Sequence, residues 1–177
     1  MLPLGTKAPY FKLIDVTTNT TKDLDQLKGS QATLIMFICK HCPFVKHIND
    51  ELAQLGEDYQ SERVGIIAIS SNDAINYPED QPSKLAQQAK EFNFNFPYLY
   101  DESQEVAKAY EAACTPDFYI FDKDLKLQYR GQLDDSRPNN GLPVTGSDLR
   151  KALEGIISNS KLSEIQKPSI GCNIKWK

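Results

Sequence analysis

The stretch Gln31-Ala-Thr-Leu-Ile-Met-Phe-Ile-Cys39-Lys-His-Cys42-Pro43-Phe44 contains an abrupt change of period. Up to Ile38 it is nearly all apolar, with β-branched and aromatic residues, as in a central strand buried on both faces. Beyond it, Phe44, Ile48, Leu52, Leu55 and Tyr59 recur at three- and four-residue spacing and form one apolar helical stripe. Pro43 is tolerated only near a first turn, so the helix must begin close to Cys39–Cys42. Val64-Gly-Ile-Ile-Ala-Ile-Ser then reads as a second buried strand. Strand, crossover helix and strand make the βαβ unit of a parallel sheet.

Working outward, residues 1–30 form an N-terminal extension. Tyr10 to Val16 reads as a short strand, and Thr17-Thr-Asn-Thr-Thr as a turn. Residues 71–111 are an insertion ahead of the next core strand. They hold a helix over Ser83–Phe92, a short strand at Phe96–Tyr100 and another short helix ending near Tyr110. Asp101-x-x-Gln104 has the pattern of a capping box for that second helix. Phe118-Tyr-Ile-Phe and Leu125 to Arg130 form a hairpin around Asp122-Lys-Asp. Leu149, Leu153, Ile156 and Ile157 mark a final helix, and the tail from Pro168 has no clear periodicity.

The chain has 177 residues, 40% of them hydrophobic and 25% charged, which suits one domain spanning 1–177. Its net charge of -4 argues against a nucleic-acid partner, since phosphate binding usually needs a basic face. No apolar run is long enough to span a bilayer, so no membrane partner is expected. The start, Met1-Leu-Pro-Leu-Gly-Thr-Lys, has no basic residues leading into an apolar segment, so a cytoplasmic location is expected. In that compartment the four cysteines point to catalytic or metal-binding use more than to a disulfide framework.

Cys39-Lys-His-Cys42 lies between a buried strand and a helix N-terminus. Unsatisfied N–H groups and the positive end of the helix dipole stabilise a thiolate there. Lys40 and His41 add positive charge. The offset puts both sulfurs on one side of the first turn. Cys39 comes first and is expected to be the exposed nucleophile, with Cys42 resolving the mixed disulfide. The competing reading is a zinc half-site. A closed zinc site wants four ligands, and only one C-x-x-C is present, with Cys114, Cys172, His41 and His47 as isolated extras. No metal or other cofactor is assigned.

A second signal is Ala113-Cys-Thr115-Pro116-Asp-Phe-Tyr-Ile. A proline just ahead of a strand is also an ordinary edge or turn residue. Together with the C-x-x-C, it resembles the Thr–cis-Pro loop of the thioredoxin superfamily. That resemblance covers most of the chain, since strand, C-x-x-C helix, strand, insertion, Thr-Pro, hairpin and final helix follow thioredoxin order. The extension and insertion look like the peroxiredoxin, alkyl-hydroperoxide-reductase and TlpA-like branch. The runs Cys39 to His47, Ser70-Ser-Asn-Asp, Cys114-Thr-Pro-Asp-Phe and Arg130 to Pro138 resemble a peroxiredoxin-like subgroup named only as thioredoxin family or thiol-disulfide isomerase. The resemblance implies an α/β thioredoxin-like fold, with a mixed central sheet flanked by helices. It implies thiol-disulfide exchange on a protein disulfide, with a thiol reductant for recycling, and a Thr115–Pro116 backbone lying beside the dithiol.

One departure bears on peroxide. Peroxiredoxins place a threonine three residues before the peroxidatic cysteine and a proline four before that. Counted from Cys39, those positions hold Met36 and Ala32. This weakens the alternative of a thiol peroxidase with Cys39 as the peroxidatic residue. A third reading, a metal- or copper-binding protein, would use Cys39, Cys42 and a histidine.

Other residues have bland readings that outweigh functional ones. Cys114, next to Thr115, reads as an inert packing residue, because free cysteines are among the most buried types. Cys172 would be a second resolving thiol only if the tail folded over the site; tails are often mobile, although Ile174 and Trp176 beside it suggest a tail that docks. Arg130 and Arg137 read as surface charge, with an accessory role at a thiolate as the alternative. Asp134 and Asp135 read as loop residues, and His47 as solvated. The alternating strip Phe92, Phe94, Phe96, Tyr98 and Tyr100 reads as packing.

Overall fold

Residues 2–61 and 63–177 are described by a computed structural model. The chain opens with an antiparallel pair, β1 (Lys12–Asp15) and β2 (Thr20–Asp23), and a single-turn helix α1 (Leu24–Leu27). Next come β3 (Ala32–Phe37), α2 (Pro43–Tyr59) and β4 (Val64–Ser70). The insertion holds a 3-10 turn at Pro78–Asp80, α3 (Pro82–Glu91), β5 (Tyr98–Tyr100) and α4 (Glu105–Ala109). The two-residue β6 (Cys114–Thr115) leads into β7 (Asp117–Asp122) and β8 (Leu127–Gly131), followed by α5 (Ser147–Ile157) and β9 (Cys172–Asn173).

Seven strands form one sheet in the order β2-β1-β5-β4-β3-β7-β8. β3 runs parallel to β4 and antiparallel to β7, so the sheet is mixed. Period-two alternation along β3 divides the core. Leu34 and Met36 face Ile48, Leu52 and Leu55 of α2 and Leu149 and Leu153 of α5. Ile35 and Phe37 face the opposite layer, with Phe11, Leu24, Ala107 and Tyr110. Every residue of β3 is buried, as expected for a central strand covered on both faces. This is the thioredoxin-like architecture that the sequence implies. Among the described residues, no helix is long and apolar enough to cross a membrane.

Two local expectations need correction, and one about the tail holds. The threonine-rich segment is only half turn: the reversal lies at Asp15–Asn19, with Asn19 at φ 54, and Thr20 already pairs with Asp15 in β2. Asp101 and Gln104 do not form a capping box. Asp101 is fully buried, and its carboxylate accepts from Ser71 Oγ (2.8 Å) and the Ala107 amide (3.0 Å). The Gln104 amide donates to the carbonyls of Ser71 and Lys175. The C-terminal tail, which lacks periodicity, is docked. β9 pairs antiparallel with β6, aligning Cys172 with Thr115 and Asn173 with Cys114.

Candidate functional site

The site forms where β3 ends and α2 begins. Cys42 is the N-cap of α2, with Pro43 in the first turn as its missing N–H requires. The Cys42 carbonyl accepts the amides of Val45 (3.1 Å) and Lys46 (2.9 Å), so the helix starts at the second cysteine. Cys39 lies in the extended link between strand and helix. Both side chains are 0% exposed, which corrects the expectation of an exposed Cys39.

Thr115 reaches both sulfurs with different atoms. Its Oγ1 lies 3.3 Å from Cys39 Sγ, and its carbonyl oxygen lies 3.2 Å from Cys42 Sγ. The Thr115–Pro116 bond is cis. On its other side, Cys42 Sγ is 2.8 Å from Cys172 Sγ on β9. Sequence reasoning gives this tail thiol a place in the site only if the tail folds over it, and the pairing of β9 with β6 meets that condition.

These surroundings divide the proton between the two cysteines. Cys42 is pushed below the ordinary thiol value, first by contact with the Cys39 thiol. Burial opposes the shift, while the Cys172 thiol and the N–H groups of Val45 and Cys172 support it. Cys39 is pushed well up by the contact with Cys42, by burial and by the Asp80 carboxylate, with the Thr115 hydroxyl pulling the other way. As a thiol, Cys42 can direct its proton to the Thr115 carbonyl. Once ionised, its sulfur has several donors set against that one acceptor, whereas a Cys39 thiolate would face a carboxylate. Cys42 thus has more donors around its sulfur than Cys39 has, and it is Cys42 that stands at the helix N-terminus.

Asp80 is a site residue that sequence reasoning missed. It is fully buried, and one oxygen accepts the Lys40 amide (2.8 Å) and the His41 amide (3.1 Å). The other accepts Asn72 Nδ2 (2.8 Å) and His41 Nδ1. Asp80 thus holds the whole inter-cysteine turn. His41 stacks on Tyr77 with ring centroids 5.5 Å apart. Its Nδ1 donates to Asp80, since a carboxylate can only accept, and lies 3.9 Å from Cys39 Sγ. Donor atoms of Cys39, His41 and Asp80 lie within 4.8 Å of one another, so among the described residues these three are the group that could hold a metal. Asp80's oxygens are already occupied by four donors, the usual carboxylate capacity, so a metal would have to displace His41 or Asn72 from them. Cys42 pairs with Cys172 and not with a histidine, which weighs against the Cys39–Cys42–histidine ligand set.

Several expected supports lie elsewhere. The Lys40 ammonium points to Gln87 Oε1 (3.4 Å) and Glu79 (3.9 Å), so its charge is turned away from the sulfurs. Arg130 donates to the Leu2 carbonyl. Arg137 binds Gln132 and the carbonyls of Asp134 and Ser136. His47 is half-buried and not simply solvated: its buried Nε2 has no partner among the described residues, and with Arg137 and Pro116 it lines a cavity of about 20 Å³. Cys114 is buried, contacts the Pro116 carbonyl at 3.6 Å, and is pushed up to about 12, chiefly by burial. That suits packing and not reactivity. Asp134 fixes the loop ahead of α5 by accepting the amides of Thr145 and Gly146, both at 2.7 Å. The aromatic strip does pack, with Phe94 and Phe96 stacked at 4.8 Å.

The AhpC/TSA family model matches residues 4–130. An uncharacterized conserved protein from Geobacillus kaustophilus is 59% identical, with a TM-score of 0.97, over 100% of this chain and 94% of its own. A hypothetical protein from Sinorhizobium meliloti 1021 is 45% identical, with a TM-score of 0.96, over 100% and 96%. A secreted disulfide oxidoreductase from Mycobacterium tuberculosis shares the fold at a TM-score of 0.62 and 15% identity, over 82% and 95%. No curated protein matches the sequence. The family match and the shared fold agree: an AhpC/TSA chain on a thioredoxin-like fold.

Proposed function

We propose that this chain, which belongs to the AhpC/TSA family, is a thiol-disulfide oxidoreductase working through Cys39 and Cys42. The observation that carries the reading is the divided environment of the two sulfurs. Cys42 at the helix N-terminus is surrounded by donors, beside a Cys39 that keeps its proton. One sulfur is prepared to attack and its neighbour to resolve.

The chemistry follows in balanced steps. The Cys42 thiolate attacks one sulfur of a protein disulfide, and the leaving thiolate takes up a proton from solvent. The protein is then joined to substrate through a Cys42 mixed disulfide. Cys39 attacks Cys42 Sγ, passes its proton to the departing substrate thiolate, and leaves a Cys39–Cys42 disulfide. Two electrons have moved to the substrate, and an external thiol reductant restores the dithiol. Thr115 contacts both sulfurs throughout and acts as a positioning residue.

The experiment is dithiothreitol-driven reduction of insulin disulfides by wild type, Cys39→Ser and Cys42→Ser. Catalysis by wild type, lost in both variants, is expected. Equal rates in all three would sink the proposal.

Thiol peroxidase activity is the second reading. It is favoured by the family and by the Thr115 hydroxyl, which supplies near Cys39 the group that Met36 cannot. Met36 itself is fully buried in the core. Stopped-flow oxidation of the reduced protein by hydrogen peroxide separates the two readings. Slow oxidation is expected, and a near diffusion-limited rate would make the peroxidase reading the answer.

A further inference from the structure

We propose that Cys172 is a third redox thiol of this site, exchanging onto Cys42 to form a Cys42–Cys172 disulfide. That bond would fasten the C-terminal strand over the dithiol. The inference rests on the reading of Cys42 as an exchanging thiolate.

Three independent observations carry it. The Cys42 and Cys172 sulfurs are 2.8 Å apart, nearer than non-bonded sulfurs usually sit, so little movement separates contact from bond. The backbone holds them there: β9 pairs with β6, and the Ile174 amide donates to the Ala113 carbonyl at 3.2 Å. Further along, the Lys175 carbonyl accepts from the Asp73 amide (2.8 Å) and the Gln104 side chain (2.8 Å), and the Lys175 amide donates to Asn72 (2.8 Å). Finally, the tail is built for close approach. A Cβ on Gly171 would stand 2.0 Å from the Thr115 carbonyl oxygen, so only glycine lets the strand lie against that residue.

The step conserves electrons and needs no new oxidant. The Cys172 thiolate attacks Cys42 Sγ in the Cys39–Cys42 disulfide and displaces Cys39 as a thiolate. The proton lost by Cys172 ends on Cys39, whose surroundings raise its affinity for it. One disulfide is exchanged for another. The product has its tail covalently held along Thr115, the residue whose hydroxyl and carbonyl contact both sulfurs of the dithiol. The exchange therefore closes the site, and reduction of the Cys42–Cys172 bond reopens it.

Trypsin distinguishes the three thiols, because Lys40 separates Cys39 from Cys42 and Cys172 lies on a third peptide. Cys39→Ser protein is equilibrated in a glutathione redox buffer, quenched with acid, alkylated, digested and mapped by mass spectrometry. Oxidised glutathione first forms an adduct on Cys42, and Cys172 then displaces glutathione. The Cys42–Cys172 peptide pair is expected as the main oxidised form, falling at least about fivefold when Gly171→Ala is added. A stable glutathione adduct on Cys42 with no linked pair would overturn the inference. If Cys39→Ser does not fold, Cys39→Ala and partially oxidised wild type give the same readout. Cys172→Ser tests the underlying reading separately. If it forms the Cys39–Cys42 pair while Cys39→Ser forms no Cys42–Cys172 pair, only the inference fails. If no Cys39–Cys42 pair forms in any protein, the exchange reading fails.

Discussion

Cys39 and Cys42 belong to one turn and are equally hidden from solvent, yet their surroundings are opposite. Cys39 lies near a buried carboxylate, with the Thr115 hydroxyl and, farther off, His41 Nδ1 beside its sulfur. Cys42 caps a seventeen-residue helix and collects backbone and thiol donors. The difference shows that a C-x-x-C spacing places two sulfurs together without deciding which one ionises. That choice belongs to groups distant in sequence: Asp80 in the insertion, Thr115 before β7, and Cys172 in the tail.

The largest expected effect comes from removing the favoured thiolate. Cys42→Ser should lower insulin-reduction turnover on the order of a thousandfold, since a hydroxyl neither ionises there nor accepts a disulfide bond. Cys39→Ser should cost about a hundredfold, because the mixed disulfide still forms and must wait for external thiol or Cys172. Equal losses in the two variants would erase the asymmetry.

A smaller effect tests the cause of that asymmetry. Asp80→Asn removes the charge that opposes Cys39 ionisation and leaves amide hydrogens facing Asn72 and His41. Stability should fall by about 1–3 kcal/mol in urea unfolding, while alkylation of Cys39 at neutral pH speeds up. Unchanged Cys39 alkylation would show that burial and Cys42 set its proton affinity without help from Asp80.

The pH dependence is the mildest test. A lowered Cys42 value means that its thiolate survives as pH falls, until the folded-state value is reached. Iodoacetamide labelling of Cys42 should therefore stay nearly flat from pH 8 to pH 6. An ordinary thiol with a value near 8.5 would slow by roughly tenfold per pH unit below it. A labelling curve that follows the ordinary thiol would remove the charge from Cys42.

What could be read from the sequence follows from where the physical information lies. β3 and α2 were legible because periods of two and of three to four residues are written locally in Leu34 to Tyr59. Asp80 was not legible. It sits in a polar loop forty residues from Lys40, and its role appears only when its oxygens meet the inter-cysteine amides. Two identical patterns show the same limit. Asp23-x-x-Gln26 forms a capping box on the exposed start of α1. Asp101-x-x-Gln104 forms none, because burial commits Asp101 to Ser71 and Ala107, and Gln104 to the tail. The tail was legible only in outline: Ile174 and Trp176 suggest that it docks, but where it docks comes from Asn72, Ala113 and Gln104 and not from its own pattern.

Trapping the mixed disulfide tests the division between Cys39 and Cys42 most directly. The double variants Cys39→Ser/Cys172→Ser and Cys42→Ser/Cys172→Ser are each incubated with an oxidised protein substrate. They are then quenched with acid and alkylating agent and run on a non-reducing gel. With Cys172 absent, no internal thiol can resolve an adduct on the remaining cysteine. A stable covalent adduct is expected from Cys39→Ser/Cys172→Ser, and almost none from Cys42→Ser/Cys172→Ser. Adducts in the second variant alone would restore Cys39 as the attacking residue, as the sequence reading expects. Adducts in neither would contradict disulfide exchange at this site.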